Sequence, residues 1–191
     1  DQLRLYLIDA ATREKTPPLN EPVDKEQILI KYKDHKNLLE KISHGCDAIN
    51  YARDIIHKSS THPSSNELPY HERISLNNQI NNRRIEHLYE QRTLIRKASY
   101  TSFKDSTASN QLNFEITLDE KTTKKIFANK LQKIEESKAG NCEDYANLVF
   151  DYLISKRNIG IINWPCSIVD SMKGDHSYVK IGCGSSSIYI D

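Results

Sequence analysis

Three residues of this sequence have side chains suited to nucleophilic catalysis, and each stands in a short segment with its own local signal. Cys142 follows Gly140 and Asn141 in the segment GNCEDYA, His176 stands in GDHSYV, and Asp191 follows the apolar run IYI. A thiolate can attack a carbonyl carbon, an imidazole can carry the proton, and a carboxylate can orient that imidazole. The three types together predict a cysteine nucleophile with a histidine base and an orienting acid.

The residues around Cys142 predict that it stands in the first turn of a helix. Apolar residues recur at helical spacing over roughly 14 residues after it, and Asn141 before it is a strong N-cap residue. The unpaired N–H groups at a helix start favour a thiolate. Glu143 and Asp144 oppose it, so the cysteine needs a cationic partner, such as an imidazolium. The alternative is a small buried cysteine at a helix end.

The histidine and the acid are predicted to meet on a β-hairpin. A two-residue turn at positions 183–184 pairs Val179 with Ile188, and counting outward puts His176 opposite Asp191. Their Cβ atoms would then lie about 5 Å apart. The apolar residues of the hairpin share the other face, which we expect to meet the helices. A one-residue slip would turn the acid away. Two rival acids remain alternatives: Asp170 and Asp175.

These segments resemble the Cys, His and Asp boxes of papain-like and transglutaminase-like cysteine enzymes. The resemblance is strongest to the bacterial effector branch, which includes glutamine deamidases and proteases injected into host cells, and it covers residues 137–191. It implies Cys142 as nucleophile, His176 as general base and acid, and Asp191 as the residue that orients the histidine. In that branch Pro-Trp commonly follows the acid, a feature that this sequence does not show.

The resemblance implies attack of the Cys142 thiolate on an amide carbonyl of a protein substrate, through a thioester that water resolves. The activity would be glutamine deamidation or proteolysis, and an amine in place of water would give transglutaminase-type acyl transfer. The backbone N–H of Cys142 is the expected first oxyanion donor, with Asn141 or Gln132 as a candidate second donor. A host protein as substrate and secretion into the host cytoplasm follow from the same resemblance, which implies no cofactor.

Two other functions remain open. In one, the papain-like scaffold has no catalytic role and the polar helices of residues 25–104 bind a partner protein. In the other, His44, Cys46, His57 and His62 hold a metal ion. Their spacing matches no common zinc motif, and scattered surface histidines explain the pattern better, so we predict no metal site.

The composition limits the function classes further. The chain has 191 residues, of which 37% are hydrophobic, and a net charge of +1, which argues against a nucleic-acid binder that neutralises phosphates. No apolar run reaches the roughly 18 residues that a membrane span requires. The four cysteines are too few for a disulfide framework. We therefore expect one hydrophobic core.

The elements that must position the three residues are predicted to form an α+β arrangement with a papain-like core. The first two thirds are mainly helical, and a small antiparallel sheet follows the helix that carries the cysteine. A boundary divides a helical region, 1–111, packed on the core, from a catalytic core, 112–191. Predicted helices cover 25–58 with a break near Gly45, 70–97, 116–136 and the residues after Cys142. Predicted strands lie within 160–169, 176–182 and 186–190.

Overall fold

The fold, seen in a computed structural model that describes residues 22–59, 68–105, 120–170 and 176–190, is a mixed α+β arrangement, as predicted. The helices are α1 (Lys25–Lys31), α2 (Leu39–Ile55), α3 (Tyr70–Asp105), α4 (Glu120–Ser137) and α5 (Cys142–Asn158). The strands are β1 (Lys58–Ser59), β2 (Ala139–Gly140), β3 (Cys166–Asp170), β4 (Ser177–Ile181) and β5 (Ile188–Ile190). β1 and β2 form a short parallel pair, and β3, β4 and β5 form an antiparallel sheet in that order.

The helix predicted over residues 25–58 is two helices, and the predicted break at Gly45 is wrong. The interruption lies at residues 32–38, where polar side chains break the apolar pattern and the Leu38 N–H donates to the His35 carbonyl at 2.8 Å. Gly45 is buried inside α2. A glycine costs a helix interior only about 1 kcal/mol, and the burial of its apolar neighbours offsets that cost.

One hydrophobic core lies between helices α2 and α5 and the inner face of the three-stranded sheet. The two helices run antiparallel. The residues before α5 contact Ile56 at the end of α2, whereas Trp164, after the end of α5, contacts His44 near the start of α2. The largest fully buried apolar side chains among the described residues are Ile42, Cys46, Ile56, Ile134, Leu148, Leu153, Val179, Ile181 and Ile188.

The core uses residues from both sides of the predicted domain boundary. α2 precedes that boundary and α5 follows it, yet both contribute to the same hydrophobic cluster. The boundary itself, between residues 111 and 112, lies outside the described residues and stays a prediction. Within the described helices, no segment has the combination of length and apolar character that crossing a bilayer requires.

Strands β4 and β5 pair antiparallel, but their register differs by two residues from the predicted one. Val179 lies opposite Ile190, and Ile181 lies opposite Ile188, whereas the two-residue turn required Val179 opposite Ile188. A shift of two residues keeps each side chain on its face. The four apolar residues therefore share the buried inner face, as predicted, although the predicted pairing is wrong.

The cause of the shift lies in the turn, which runs from Gly182 to Ser187. Gly182 and Gly184 have φ angles of 87° and 58°, values that favour glycine. The segment Gly184–Ser186 forms one turn of 3-10 helix, and the Ser187 hydroxyl donates to the Gly184 carbonyl at 2.8 Å. A longer, internally bonded turn replaces the predicted two-residue turn, and the pairing argument that set His176 opposite Asp191 no longer holds.

Candidate functional site

Cys142 is the first residue of α5, which confirms its predicted place at a helix start. Asn141 is the N-cap in extended conformation, and its side-chain oxygen accepts from the Asp144 N–H at 3.1 Å. The Asp144 carboxylate accepts in return from the Asn141 N–H at 3.1 Å. This reciprocal pair, a capping box, encloses Cys142. The Cys142 thiol is half-buried and is not part of a disulfide.

The chain enters α5 in close contact with the end of α2, and Gly140 makes that contact possible. A Cβ atom at position 140 would lie 2.5 Å from Ile56 Cδ1 and 2.9 Å from the Cβ of Asp144. The Tyr145 hydroxyl, one turn into α5, donates to the Ile56 carbonyl at 3.3 Å. Gly140 is therefore required by close approach of the two segments, and the first turn of α5 is held against α2.

The two acids beside Cys142 are paired with cations from other helices. Asp144 forms a buried ion pair with Arg83 of α3 at 2.5 Å, and the two side chains are 5% and 6% exposed. Glu143 pairs with Lys130 of α4, whose side chain is buried, and with Arg84 at 3.7 Å. The negative charge that opposes a thiolate is compensated here by guanidinium and ammonium groups. The imidazolium that the sequence predicts as a cationic partner of the thiol stays a prediction.

Sequence reasoning missed Arg83 and Lys130 because their partners lie on different helices. The spacing of apolar residues in the sequence predicts one stripe on α3 through Ile80, Ile85, Leu88 and Leu94 or Ile95. Ile85 and Leu88 contradict it, since they are 49% and 43% exposed. The inner face instead carries Leu76, Ile80 and Arg83. The sequence contained a signal for this buried arginine. Leu76, Ile80 and Arg83 follow one another at helical spacing, which places Arg83 on the same face as the two buried apolar residues.

His87 of α3 lies next to this charged cluster. Burial lowers the pKa of the His87 imidazole below its usual value, and the positive charge of Lys130 lowers it further. Glu143 and Asp144 act in the opposite direction and are outweighed. The imidazole is therefore easier to keep neutral than a free histidine, and it adds no positive charge to the cluster at neutral pH.

His176 stands directly before β4 and is half-buried. β4 begins beside the end of β3, where Ser177 pairs with Asp170, and both strands contact α5, the helix that Cys142 opens. That the starts of β4 and α5 lie close together stays a prediction.

The His176 ring contacts Tyr178, with ring centroids 6.0 Å apart. Tyr178 lies on the outer face of the sheet, since its neighbour Val179 is on the inner face. The contact between the His176 ring and the Cys142 sulfur stays a prediction. Asp191 and the rival Asp175 lie outside the described residues, and so does any contact that either makes.

The two candidates for a second oxyanion donor have other roles. Asn141 uses its side-chain oxygen to cap α5, as its residue type predicted. Gln132 is exposed on α4, where its amide donates to Glu136 at 2.8 Å, one turn along the same helix. The backbone N–H of Cys142, at the start of the helix, remains the oxyanion donor that the sequence predicts.

The other three thiols differ from Cys142 in setting. Cys46 is in the core, and burial raises its pKa to about 11. Burial also raises the pKa of Cys166. Cys183 is exposed in the β4–β5 turn. Among the described residues, no group of three or more His, Cys, Asp or Glu side chains could hold a metal ion, and His62 lies outside them.

Comparisons with known proteins add no relative: neither a family model, nor a curated protein, nor a solved structure matches this chain.

Proposed function

We propose that this protein is a cysteine hydrolase with a papain-like core that acts on amide bonds of a protein substrate. Cys142 is the nucleophile, His176 the general base and acid, and Asp191, on the ground of the resemblance alone, the residue that orients the imidazole. One observation carries the proposal: Cys142 opens a capped helix, and both acids that follow it are paired with cations from α3 and α4. That combination suits a thiolate better than a packing cysteine.

The first half of the proposed reaction is acylation of the cysteine. The Cys142 thiolate attacks the amide carbonyl carbon, a C–S bond forms, and the carbonyl oxygen takes the negative charge. The backbone N–H of Cys142 donates to that oxygen. The C–N bond then breaks as the His176 imidazolium gives its proton to the leaving amine, which leaves a thioester and a neutral imidazole.

The second half returns the enzyme to its starting state. Water gives a proton to His176 and attacks the thioester carbonyl, and the thiolate leaves as the carboxylic acid forms. A glutamine side chain as substrate makes this a deamidation that releases ammonia, whereas a backbone amide makes it proteolysis. A substrate amine in place of water gives acyl transfer. The setting we propose, a host protein met after secretion by a bacterium, rests on the resemblance alone.

Charge compensation is the main physical support for a reactive thiol. Three cations, from Arg83, Arg84 and Lys130, face the two acids Glu143 and Asp144. The sum of these charges is positive, and the N–H groups at the start of α5 add to it. A thiolate at position 142 would therefore meet a net positive surrounding.

The proposal is tested by the alkylation rates of the four cysteines, measured with iodoacetamide at neutral pH and read by peptide mass analysis. We expect Cys142 to react far faster than the exposed Cys183, and His176→Ala to abolish this preference. Cys46 and Cys166 should react slowest, since burial raises their pKa values. Equal rates at Cys142 and Cys183 would remove the basis of the proposal.

The type of reaction is distinguished by incubating host-cell extract with wild type or with Cys142→Ala. Conversion of a glutamine to glutamate, seen as a mass change in one peptide, would show deamidation. New peptide termini would show proteolysis, and a new covalent link to an amine would show acyl transfer. Each product must be absent with Cys142→Ala.

A partner-binding module is the second candidate function, and one observation favours it. α3 exposes large apolar side chains on the side away from the core: Ile74, Ile85, Leu88 and Tyr89. Exposed apolar side chains on one helix face are typical of a docking surface. If Cys142 and Cys183 react equally and no substrate is modified, this second function is the better account.

A further inference from the structure

Arg83 makes three hydrogen bonds at the junction that leads into α5. Its Nη2 donates to the Asp144 carboxylate at 2.5 Å and to the Ala139 carbonyl at 2.9 Å, and its Nη1 donates to the Ser137 hydroxyl at 2.8 Å. These acceptors belong to the end of α4, to β2 and to the first turn of α5. One guanidinium therefore joins the three consecutive elements that surround Cys142.

The Asp144 oxygen that Arg83 contacts is the oxygen that caps α5. Asp144 Oδ2 accepts from Arg83 and also from the Asn141 N–H at 3.1 Å, while the Asp144 N–H donates to the Asn141 side chain. Arg83 thereby fixes the side chain that fixes the backbone on both sides of Cys142. The guanidinium itself is held in place, because Leu76 and Ile80 anchor its helix in a buried apolar cluster with Ala139.

We infer that Arg83 is a positioning residue for the Cys142 nucleophile, acting through Asp144. The inference rests on the proposed function, because it concerns the reactivity of the same thiol. Arg83 neutralises the Asp144 carboxylate, which shares the first turn of α5 with Cys142, and sets the direction of the Cys142 N–H, the proposed oxyanion donor. A lysine would supply the charge but not the fork, since its ammonium cannot present two planar N–H groups to three fixed acceptors.

The test compares the alkylation rate of Cys142 with that of Cys183 in the same molecule. Arg83→Lys keeps the charge and loses the fork, and we expect the rate ratio to fall by about fivefold, because a loosened first turn of α5 no longer aims its N–H groups at the half-buried sulfur. The double variant Arg83→Met/Asp144→Asn removes both buried charges, so that no unpaired carboxylate stays in the core, and it should show the same loss.

The matched control is Lys133→Met, which removes one positive charge from an exposed ion pair with Glu86. Its rate ratio should stay within about twofold of wild type, as for an exposed ion pair. Amide hydrogen exchange gives a second measurement. The Asn141 and Asp144 amides should exchange faster in Arg83→Lys, and their exchange rates should be unchanged in Lys133→Met.

The outcomes separate this inference from the proposed function. A reactive wild-type Cys142 whose rate ratio and neighbouring amide exchange survive both Arg83 variants would overturn the positioning role and leave the proposed function in place. A wild-type Cys142 no faster than Cys183 would overturn both. If Arg83→Lys does not fold, the double variant decides.

Discussion

Two of the buried cations, Arg83 and Lys41, stand at opposite ends of the antiparallel pair of helices α2 and α5, and they have different partners. Arg83, at the start of α5, is paired with the carboxylate of Asp144. Lys41, at the start of α2, donates to the Ser186 carbonyl at 2.6 Å and lies over the Trp164 ring, 5.7 Å from its centroid. The first arrangement holds two opposite charges in contact, whereas the second holds one charge among neutral groups.

The two helix starts also differ in capping. α5 has a full capping box, whereas the N-cap residue of α2, Leu38, makes no side-chain cap bond. α2 begins where the β4–β5 turn covers it, through the Lys41 bond to Ser186. Helix α2 shows that a packed helix can begin without a side-chain cap. The capping and ion pairs at the start of α5 therefore go beyond what helix formation needs.

The largest expected effect on the free energy of unfolding comes from replacing each of the two buried cations, one at a time. Arg83→Met should lower the free energy of unfolding by about 3–5 kcal/mol, because it leaves the buried Asp144 carboxylate without its cation. Lys41→Met should lower it by only about 1–3 kcal/mol, since its lost partner is a neutral carbonyl. Urea unfolding of both variants measures the difference. Equal losses of unfolding free energy in the two variants would mean that the charge of the partner group has no effect on how strongly each buried cation stabilises the fold.

A smaller effect is expected from the close approach at Gly140. Gly140→Ala should lower the free energy of unfolding by about 1–3 kcal/mol, as overpacking does, because its Cβ would meet Ile56 Cδ1. Ile56→Val removes that Cδ1 atom, so the double variant should lose less than the two single losses added together. Urea unfolding of the three variants checks this. Strict additivity would show that the contact is not the cause.

The smallest expected effect is a pH dependence of the free energy of unfolding caused by His87. This histidine lies beside the charged residues at the start of α5. The pKa of His87 is lowered in the folded state from the usual histidine value of 6.5. Below about pH 6.5 the unfolded chain therefore binds a proton at this histidine more readily than the folded chain does. The free energy of unfolding should therefore fall as pH falls through this window, and His87→Gln should flatten that part of the curve. An unchanged curve in the variant would assign the slope to other groups.

The sequence predicted the parts of this fold that depend on local signals. Asn141 as N-cap, Cys142 at the helix start and the three final strands are each set by residues within a few positions. The buried face of the hairpin was also predicted, because alternation survives a shift of two residues.

The parts that were missed depend on contacts between distant segments. Arg83 pairs with a residue 61 positions away, and its role follows from the packing of α3 on α4 and β2 rather than from any motif. The hairpin register depends on the hydrogen bond that closes the Gly184–Ser186 turn. The continuation of the helix through Gly45 depends on the burial of α2. These contacts and this burial arise only when the helices and strands pack together, so the local sequence does not predict them.

The antiparallel packing of α2 and α5 has an electrostatic consequence for the candidate nucleophile. The negative end of the α2 dipole, where the Ile56 carbonyl accepts from Tyr145, lies beside the positive end of the α5 dipole. Opposed dipole ends in contact partly cancel, and the backbone potential at Cys142 is weaker than at an isolated helix start. Side-chain cations must then supply most of the field there, so the sulfur depends on α3 and α4 more than on the helix that carries it.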